Sequence, residues 1–268
     1  MQHAAETVPR SMRFFLAVSL LSAVAVCSSC LRAEDDPNRL TIFAASSLTE
    51  VFEELARTYE ERHPDTDVQL TFAGSQILRF QIEQGASADL FASANDAHMQ
   101  ELVDAHLMGS PRTLANTDLV VIVPRENPAG IERFDHLDRA SSIVVGTAYV
   151  PIGAYTERVL ELASAELGEV FANQVRDRVV SMESNVRLVR AKVELGEADA
   201  AFVYRTDARA SERVRLVPIP EKLNVQARFS IAITTETTST DAAARFLDYL
   251  ASPEARSILE SHGFETES

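Results

Sequence analysis

Four short stretches of this chain place small, capping or hydroxyl-bearing residues where a helix begins. They are Ser46-Ser47, Gly74-Ser75, Val150-Pro151-Ile152-Gly153 and Asn185-Val186. A helix start leaves backbone N–H groups without intrahelical partners and carries about half a positive charge. It is a ready anion site, and a serine hydroxyl adds another donor. A fully deprotonated dianion asks only for donors, so hydroxyls and N–H groups suffice without Lys or Arg. Each hydrogen bond to a charged group contributes about 1.5–3 kcal/mol. Some five of them, less desolvation and closure, reach micromolar affinity or better. A serine before a helix is by default only a cap. Tyr204, at a strand end, is by default a core or rim tyrosine. Spacing alone offers these positions without selecting among them.

The elements that must position them alternate from Arg39 onward. Leu40–Ala45, Asp67–Ala73 and Asp89–Ala94 read as strands. Each precedes a helix, over Leu48–His63, Gln76–Gln84 and Asp96–Leu107. The first helix shows the amphipathic period at Val51, Phe52, Leu55, Ala56 and Tyr59. Three such β-α units imply a parallel sheet covered by helices. Further strands are expected at Asp118–Pro124, Ser142–Gly146, Ala198–Tyr204, Val214–Pro218 and Ala227–Thr234. Helices are expected at Ala154–Ala163, Leu167–Gln174, Val186–Leu195, Thr240–Ala251 and Pro253–His262. In open α/β sheets ligands bind beyond the carboxyl ends of the strands, where the four helix starts fall. No composition shift marks a linker, so two lobes would exchange chain through strands.

The composition narrows the function classes. The chain has 268 residues, one large or two ordinary domains, and 46% hydrophobic residues, a globular balance. Its net charge is −15, which argues against nucleic acid and anionic lipid as partners. Residues 1–33 read as a secretory signal. Arg10 and Arg13 precede the apolar run Phe14–Cys27, which fits the ~7–15 residues of a signal core. That run falls short of the about 20 needed for a spanning helix. Both cysteines, Cys27 and Cys30, lie at its end, so the mature body has no disulfide framework and no thiolate chemistry. Ser28-Ser29-Cys30 resembles a lipoprotein cleavage box. Lipidation at Cys30 and plain release are the two outcomes.

An enzyme reading finds little to stand on. His3, His63, His98, His106, His136 and His262 sit in polar sequence contexts, and the five after the signal read as solvated surface histidines. There is no G-x-S-x-G elbow, no H-E-x-x-H helix, no cysteine cluster and no glycine-rich phosphate loop. Asp35-Asp36 and Glu53-Glu54 read as solvated faces rather than as a general acid and base.

Several segments together resemble the molybdate-binding proteins of bacterial ABC importers, over roughly Leu40–Thr266. They are FAASSL at Phe43–Leu48, FAGSQILRFQIEQGASADLFASA at Phe72–Ala94, VPIGAY at Val150–Tyr155, NVR at Asn185–Arg187 and GEADAAFVYRTDA at Gly196–Ala208, with GF at Gly263–Phe264. The resemblance implies an α/β, two-lobed, type II periplasmic-binding-protein fold. Each lobe would be a mainly parallel sheet flanked by helices, with the ligand in the cleft. The first lobe would comprise 38–119 plus 229–268, and the second 120–228. The implied oxyanion ligands are Ser47 and Ser75 through hydroxyl and N–H, Ile152 and Val186 through backbone N–H, and Tyr204 through its phenol. It further implies a monomeric receptor, secreted or lipid-anchored, that needs no cofactor and presents molybdate or tungstate to a membrane permease. A sulfate-type receptor is the rival, and a non-transport sensor or a hydrolase is the alternative of another class. Three departures stand out. Ile152 replaces a small residue, Asn185 stands where some members have Asp, and Arg228-Phe229-Ser230 replaces a Tyr-Pro stretch.

Overall fold

A computed structural model describes residues 38–266. The signal-like segment, with Cys27 and Cys30, lies outside the described residues. In chain order the strands are β1 (Arg39–Ala45), β2 (Asp67–Ala73), β3 (Leu90–Ser93), β4 (Arg112–Pro124), β5 (Ile143–Gly146), β6 (Val179–Glu183), β7 (Ala200–Tyr204), β8 (Val214–Pro218) and β9 (Gln226–Ile233). The helices are α1 (Thr49–Arg62), α2 (Ser75–Glu83), α3 (Asp96–Asp104), α4 (Pro151–Leu167), α5 (Glu169–Asp177), α6 (Val186–Glu194), α7 (Arg205–Arg209), α8 (Thr240–Leu250) and α9 (Pro253–Ser261). Short 3-10 turns at Ser46–Leu48, Phe134–Arg139 and Glu221–Leu223 complete the chain.

Two strand sets share one long strand. The order β2-β1-β3-β9-β4 forms one set and β4-β7-β5-β6 the other, with β8 also on β4. Outer pairs β1–β2, β1–β3, β5–β6 and β5–β7 are parallel, as the β-α units require. The shared strand β4 and its neighbour β9 run antiparallel to the strands they pair with. Residues Arg112–Asp118 of β4 pair with β9, while Leu119–Pro124 pair with β7 and β8. The crossing therefore falls at Asp118–Leu119. Asn224 fastens the returning chain there: its Nδ2 donates to the Leu119 carbonyl at 2.9 Å, and its Oδ1 accepts from the Val225 N–H at 2.9 Å.

The elements form for the reasons their sequences suggest. Helix α1 buries Val51, Phe52, Leu55, Ala56 and Tyr59, its apolar stripe, against the sheet. Strands β1, β3, β5 and β7 are almost wholly buried, as parallel strands covered on both faces must be. Two strands differ from the sequence-based expectation. β4 begins at Arg112 rather than Asp118, because Arg112–Asn116, which buries only Leu114 and Ala115 and lacks a run of apolar residues, gains its order from pairing with β9. β6 was not expected at all. It is an edge strand whose Val180 and Met182 face outward, so its apolar alternation does not mark a buried face.

Candidate functional site

The parallel register builds the first wall of a cavity. Ala45 of β1 pairs with Ala73 of β2, so Ser46-Ser47 and Gly74-Ser75 leave the sheet at one height, side by side. Ser46 opens the 3-10 turn that leads into α1, and Ser75 opens α2 behind Gly74, the N-cap. Ala94, after β3, completes this wall.

The second set supplies the opposite wall by the same logic. Gly146 of β5 pairs with Glu183 of β6, which sets the loop before α4 beside the Ser184-Asn185 turn before α6. Helix α4 starts with Pro151, whose missing N–H costs nothing at a helix start. The next N–H groups, at Ile152 and Gly153, precede the reach of any intrahelical carbonyl. Asn185 caps α6 by accepting the Leu188 N–H at 3.1 Å, which leaves the helix-start donors of Val186 and Arg187 to other partners. Tyr204 ends β7 opposite Leu119, at the place where β4 passes between the two sets.

All five sequence-derived site residues line one cavity of about 190 Å³ with Ala45, Ser46, Gly74, Ala94, Val150, Pro151 and Asn185. Among the described residues no Lys, Arg, Asp or Glu lines it. Helices α2, α4 and α6 start at its edge, so their partial positive charges converge on it.

The hydroxyls at the cavity are fixed donors. Ser47 Oγ and the Tyr204 phenol are buried and have no hydrogen-bond partner among the described residues. Leaving each buried group unpaired costs about 1–3 kcal/mol, a cost that a hydrogen-bond acceptor in the cavity would relieve. Ser75 Oγ accepts from the Ala94 N–H at 3.1 Å, which frees its own proton to donate. Burial, then the neighbouring Tyr155 and Asp207, push the Tyr204 phenol well above its ordinary range, so it stays a neutral O–H. Its ring is held edge-on by Phe229 at 5.4 Å and by Tyr155 at 6.3 Å. The Tyr155 hydroxyl in turn accepts from the Arg228 N–H at 3.3 Å. Phe229, one of the departures, thus packs against the site tyrosine. The Ile152 side chain is buried with its Cγ2 against Gly146, filling the place a Cβ at Gly146 would take.

Contacts between the walls came as no part of the sequence reading. Gln76 Nε2 donates to the Ser184 carbonyl at 2.8 Å. Arg187 Nη1 donates to Glu50 Oε1 at 2.6 Å. His98 Nε2 donates to the Tyr149 carbonyl at 2.8 Å. The expectation of a solvated His98 is therefore corrected. The residue is 7% exposed, and burial ahead of all other influences holds its imidazole below the ordinary range. His262 is also engaged, with its Nε2 2.7 Å from Glu54 Oε2. Gly74 has a structural reason too. A Cβ there would lie 2.5 Å from the Ser184 carbonyl oxygen. Only Gly74 had a local signal, at the junction of strand and helix start. The other contacts join residues far apart in sequence.

Among the described residues no group of three or more His, Cys, Asp or Glu is placed to hold a bare metal ion, and no helix is long and apolar enough to cross a membrane.

Comparison with known proteins places this geometry. Residues 40–265 match the family described as "Bacterial extracellular solute-binding protein". The chain is 33% identical to the putative ABC transporter substrate-binding lipoprotein YvgL of Bacillus subtilis, over 95% of this chain and 97% of that protein. It is 33% identical to the molybdate-binding protein ModA of Mycobacterium tuberculosis, with 84% of each covered. Among solved structures it is similar to the substrate-binding domain of a putative molybdenum ABC transporter from Clostridium difficile. That match has 28% identity and a TM-score of 0.65, covering 86% of this chain and 99% of the other.

Proposed function

The chain belongs to the bacterial extracellular solute-binding proteins, and from that membership we propose that it captures molybdate or tungstate outside the cytoplasm and hands it to the permease of an ABC importer. The observation that carries the reading is the cavity ringed by three helix starts and lined by no charged group among the described residues, with Ser47 and Tyr204 holding buried hydroxyls that none of those residues meets. Ser47, Ser75, Ile152, Val186 and Tyr204 are the proposed donors. The first two stand on one wall and the last three on the other. A ligand that touches both walls stabilises the closed arrangement over an open one, which is the differential affinity that closure needs.

The lobes in this reading are 38–119 plus 229–268 and 120–228, hinged where β4 crosses at Asp118–Leu119 and where Asn224 fastens the return. Arg205 supports the hinge by pairing with Asp118, Nε to Oδ1 at 2.6 Å, directly after Tyr204. The receptor works as a monomer without a cofactor, either released or tethered through Cys30. It is a carrier rather than a catalyst. Phosphate fits less well than a fully deprotonated oxyanion. It keeps a proton near neutral pH, and no carboxylate in the lining is there to accept it.

Calorimetric titration of the purified protein with molybdate, tungstate, sulfate and phosphate tests the reading. Molybdate and tungstate should bind at micromolar or tighter affinity, and a thermal shift should accompany them. A ligand at 1,000 times its Kd adds about 4 kcal/mol to stability. Binding of sulfate without molybdate or tungstate would replace the substrate assignment with the sulfate-type one.

A further inference from the structure

A second cavity, of about 460 Å³, adjoins the oxyanion cavity, and Ser47 lines both. Its lining includes Glu50, Thr206, Asp207, Arg209 and His262. Asp207 is 3% exposed and its Oδ2 has no hydrogen-bond partner among the described residues. Thr206 Oγ1 beside it is equally unmet, on a residue 5% exposed. The cation nearest Asp207 is largely committed elsewhere. Arg190 Nη1 stands 4.0 Å from Oδ1 but donates to the Asp207 backbone carbonyl at 3.0 Å, and its Nε pairs with Glu194 at 3.0 Å.

A buried carboxyl with so few donors favours its neutral form. Burial is the main cause and Arg190 the main opposition, and the result is a carboxyl pushed up to about 7. Glu50 of α1 reinforces the rise, while Arg187 of α6 opposes it. Arg209 of α7 and His262 after α9 face the same cavity. Tyr204, at the end of β7, feels the Asp207 charge directly, so the two sites are electrostatically in reach of one another.

We propose that Asp207 is a proton-binding site coupled to the oxyanion site, so that the protein takes up a proton there as it captures a dianion. The inference rests on the oxyanion reading above. A dianion behind Ser47 adds negative charge close to a carboxyl in a poorly solvated region, which raises the carboxyl's proton affinity. The bound proton then offsets part of the ligand's charge. Near neutral pH the unliganded carboxyl is only partly protonated, so capture takes up a fraction of a proton. Above pH 7 the proton must be drawn from solution, and affinity falls by up to about tenfold per pH unit. Well below pH 7 the carboxyl is already neutral and affinity is flat.

The experiment is calorimetric titration of the purified protein with molybdate, in buffers of different ionisation enthalpy at pH 7 and across pH 6–8. The wild type should take up a measurable fraction of a proton and bind more weakly as pH rises. Asp207→Asn, neutral and of the same shape, should bind as tightly as the wild type at pH 6. It should show no weakening at pH 8 and no proton uptake. His262→Gln, on the same cavity wall, should keep the uptake. No buffer dependence in the wild type, or uptake that survives in Asp207→Asn, overturns the proposal. If that variant does not fold, the wild-type buffer dependence and pH profile decide the matter alone. Molybdate that binds without proton uptake defeats only the coupling. Failure of molybdate and tungstate to bind at all defeats the oxyanion reading beneath it.

Discussion

Gly74→Ala isolates cleft closure from folding. Gly74 has φ −62° and ψ 140°, an extended conformation that alanine adopts freely. Within its own loop the substitution therefore brings no strain, and it stabilises the folded chain by about 0.4–1 kcal/mol through the unfolded state. The obstacle lies across the cavity. The added Cβ would sit 2.5 Å from the Ser184 carbonyl oxygen and 2.6 Å from the Gln76 amide. The Gln76 side chain can swing aside, although it then gives up its 2.8 Å bond to the same carbonyl. The Ser184 oxygen is backbone on the turn that caps α6 and cannot retreat without carrying Val186 with it.

Ordinary contact, at about 3.4 Å, requires that wall to move back by roughly 0.9 Å from the 2.5 Å approach. Hydrogen bonds of about 2.9 Å then stretch beyond about 3.5 Å, where they cease to count. The second wall supplies three proposed donors, Ile152, Val186 and Tyr204. Losing the equivalent of one or two, at about 1.5–3 kcal/mol each, weakens binding by about 3 kcal/mol, on the order of 100-fold. Calorimetry with molybdate and thermal melts of the unliganded protein read the two effects separately. The expected result is a Kd raised about 100-fold with an unliganded Tm equal to or above the wild type. Affinity within about threefold of wild type would refute the idea that Gly74 exists to let the walls meet. A clear drop in unliganded Tm would assign the contact to the folded body instead.

The remaining expectations concern single groups. Tyr204→Phe should weaken molybdate by about 1.5–3 kcal/mol while leaving unliganded stability unchanged or slightly raised, because it removes a buried hydroxyl with no partner; equal affinity in calorimetry would exclude Tyr204 from the ligand set. Glu50→Gln should cost affinity modestly, less than about 1 kcal/mol, and the cost should shrink as salt rises, since the Arg187 pair is about one-third exposed. For His98 the folded-state value lies below the ordinary 6.5, so its stabilising effect is present above pH 6.5 and is lost as pH falls through the folded value. His98→Gln should accordingly flatten the fall of Tm on acidification below pH 6.5. Asp207 has the opposite sign. Its folded value is about 7 against 3.8 unfolded, so wild-type stability is eroded as pH rises from 3.8 to 7. The Tm advantage of Asp207→Asn over the wild type should therefore be larger at pH 8 than at pH 5.

Much of the fold was legible because burial and sequence agree. Strands β1, β3 and β7 are apolar runs bounded by helix starts, and α1 carries a regular apolar stripe. Where the two part company, reading fails for a definite reason. The first half of β4 holds Arg112, Thr113, Asn116 and Thr117, and its order comes from pairing with β9, an element more than 100 residues later in the chain. β6 turns Val180 and Met182 to solvent, so hydrophobicity gives no sense of its inner face. The site shows the same division. Ser47 and Ser75 are visible as helix-start residues, since capping is a local property. Tyr204 was selected only through the family resemblance, because its partners Tyr155 and Phe229 come from distant segments. His98 read as solvated for a similar reason: its cross-wall partner is the carbonyl of Tyr149, and a carbonyl leaves no trace in sequence.

The net charge of −15 and the charge-free cavity belong to one design. Charges beyond about 8 Å are largely screened at physiological salt, so the acidic shell bears weakly on a buried site. Within contact range the donors decide, and here they are hydroxyls and helix-start N–H groups. A lysine or arginine in the lining would attract any anion, including protonated ones. A carboxylate there would accept a proton from a partly protonated oxyanion and so admit it. Neutral donors alone favour a ligand that has no proton to give and two charges to share. Asp207 stands one cavity away, close enough to sense that charge and separated enough not to accept a ligand's proton by direct contact. In the proposed reading, selection for full deprotonation rests on neutral donors in the lining, while the response to the captured charge falls to the carboxyl behind it.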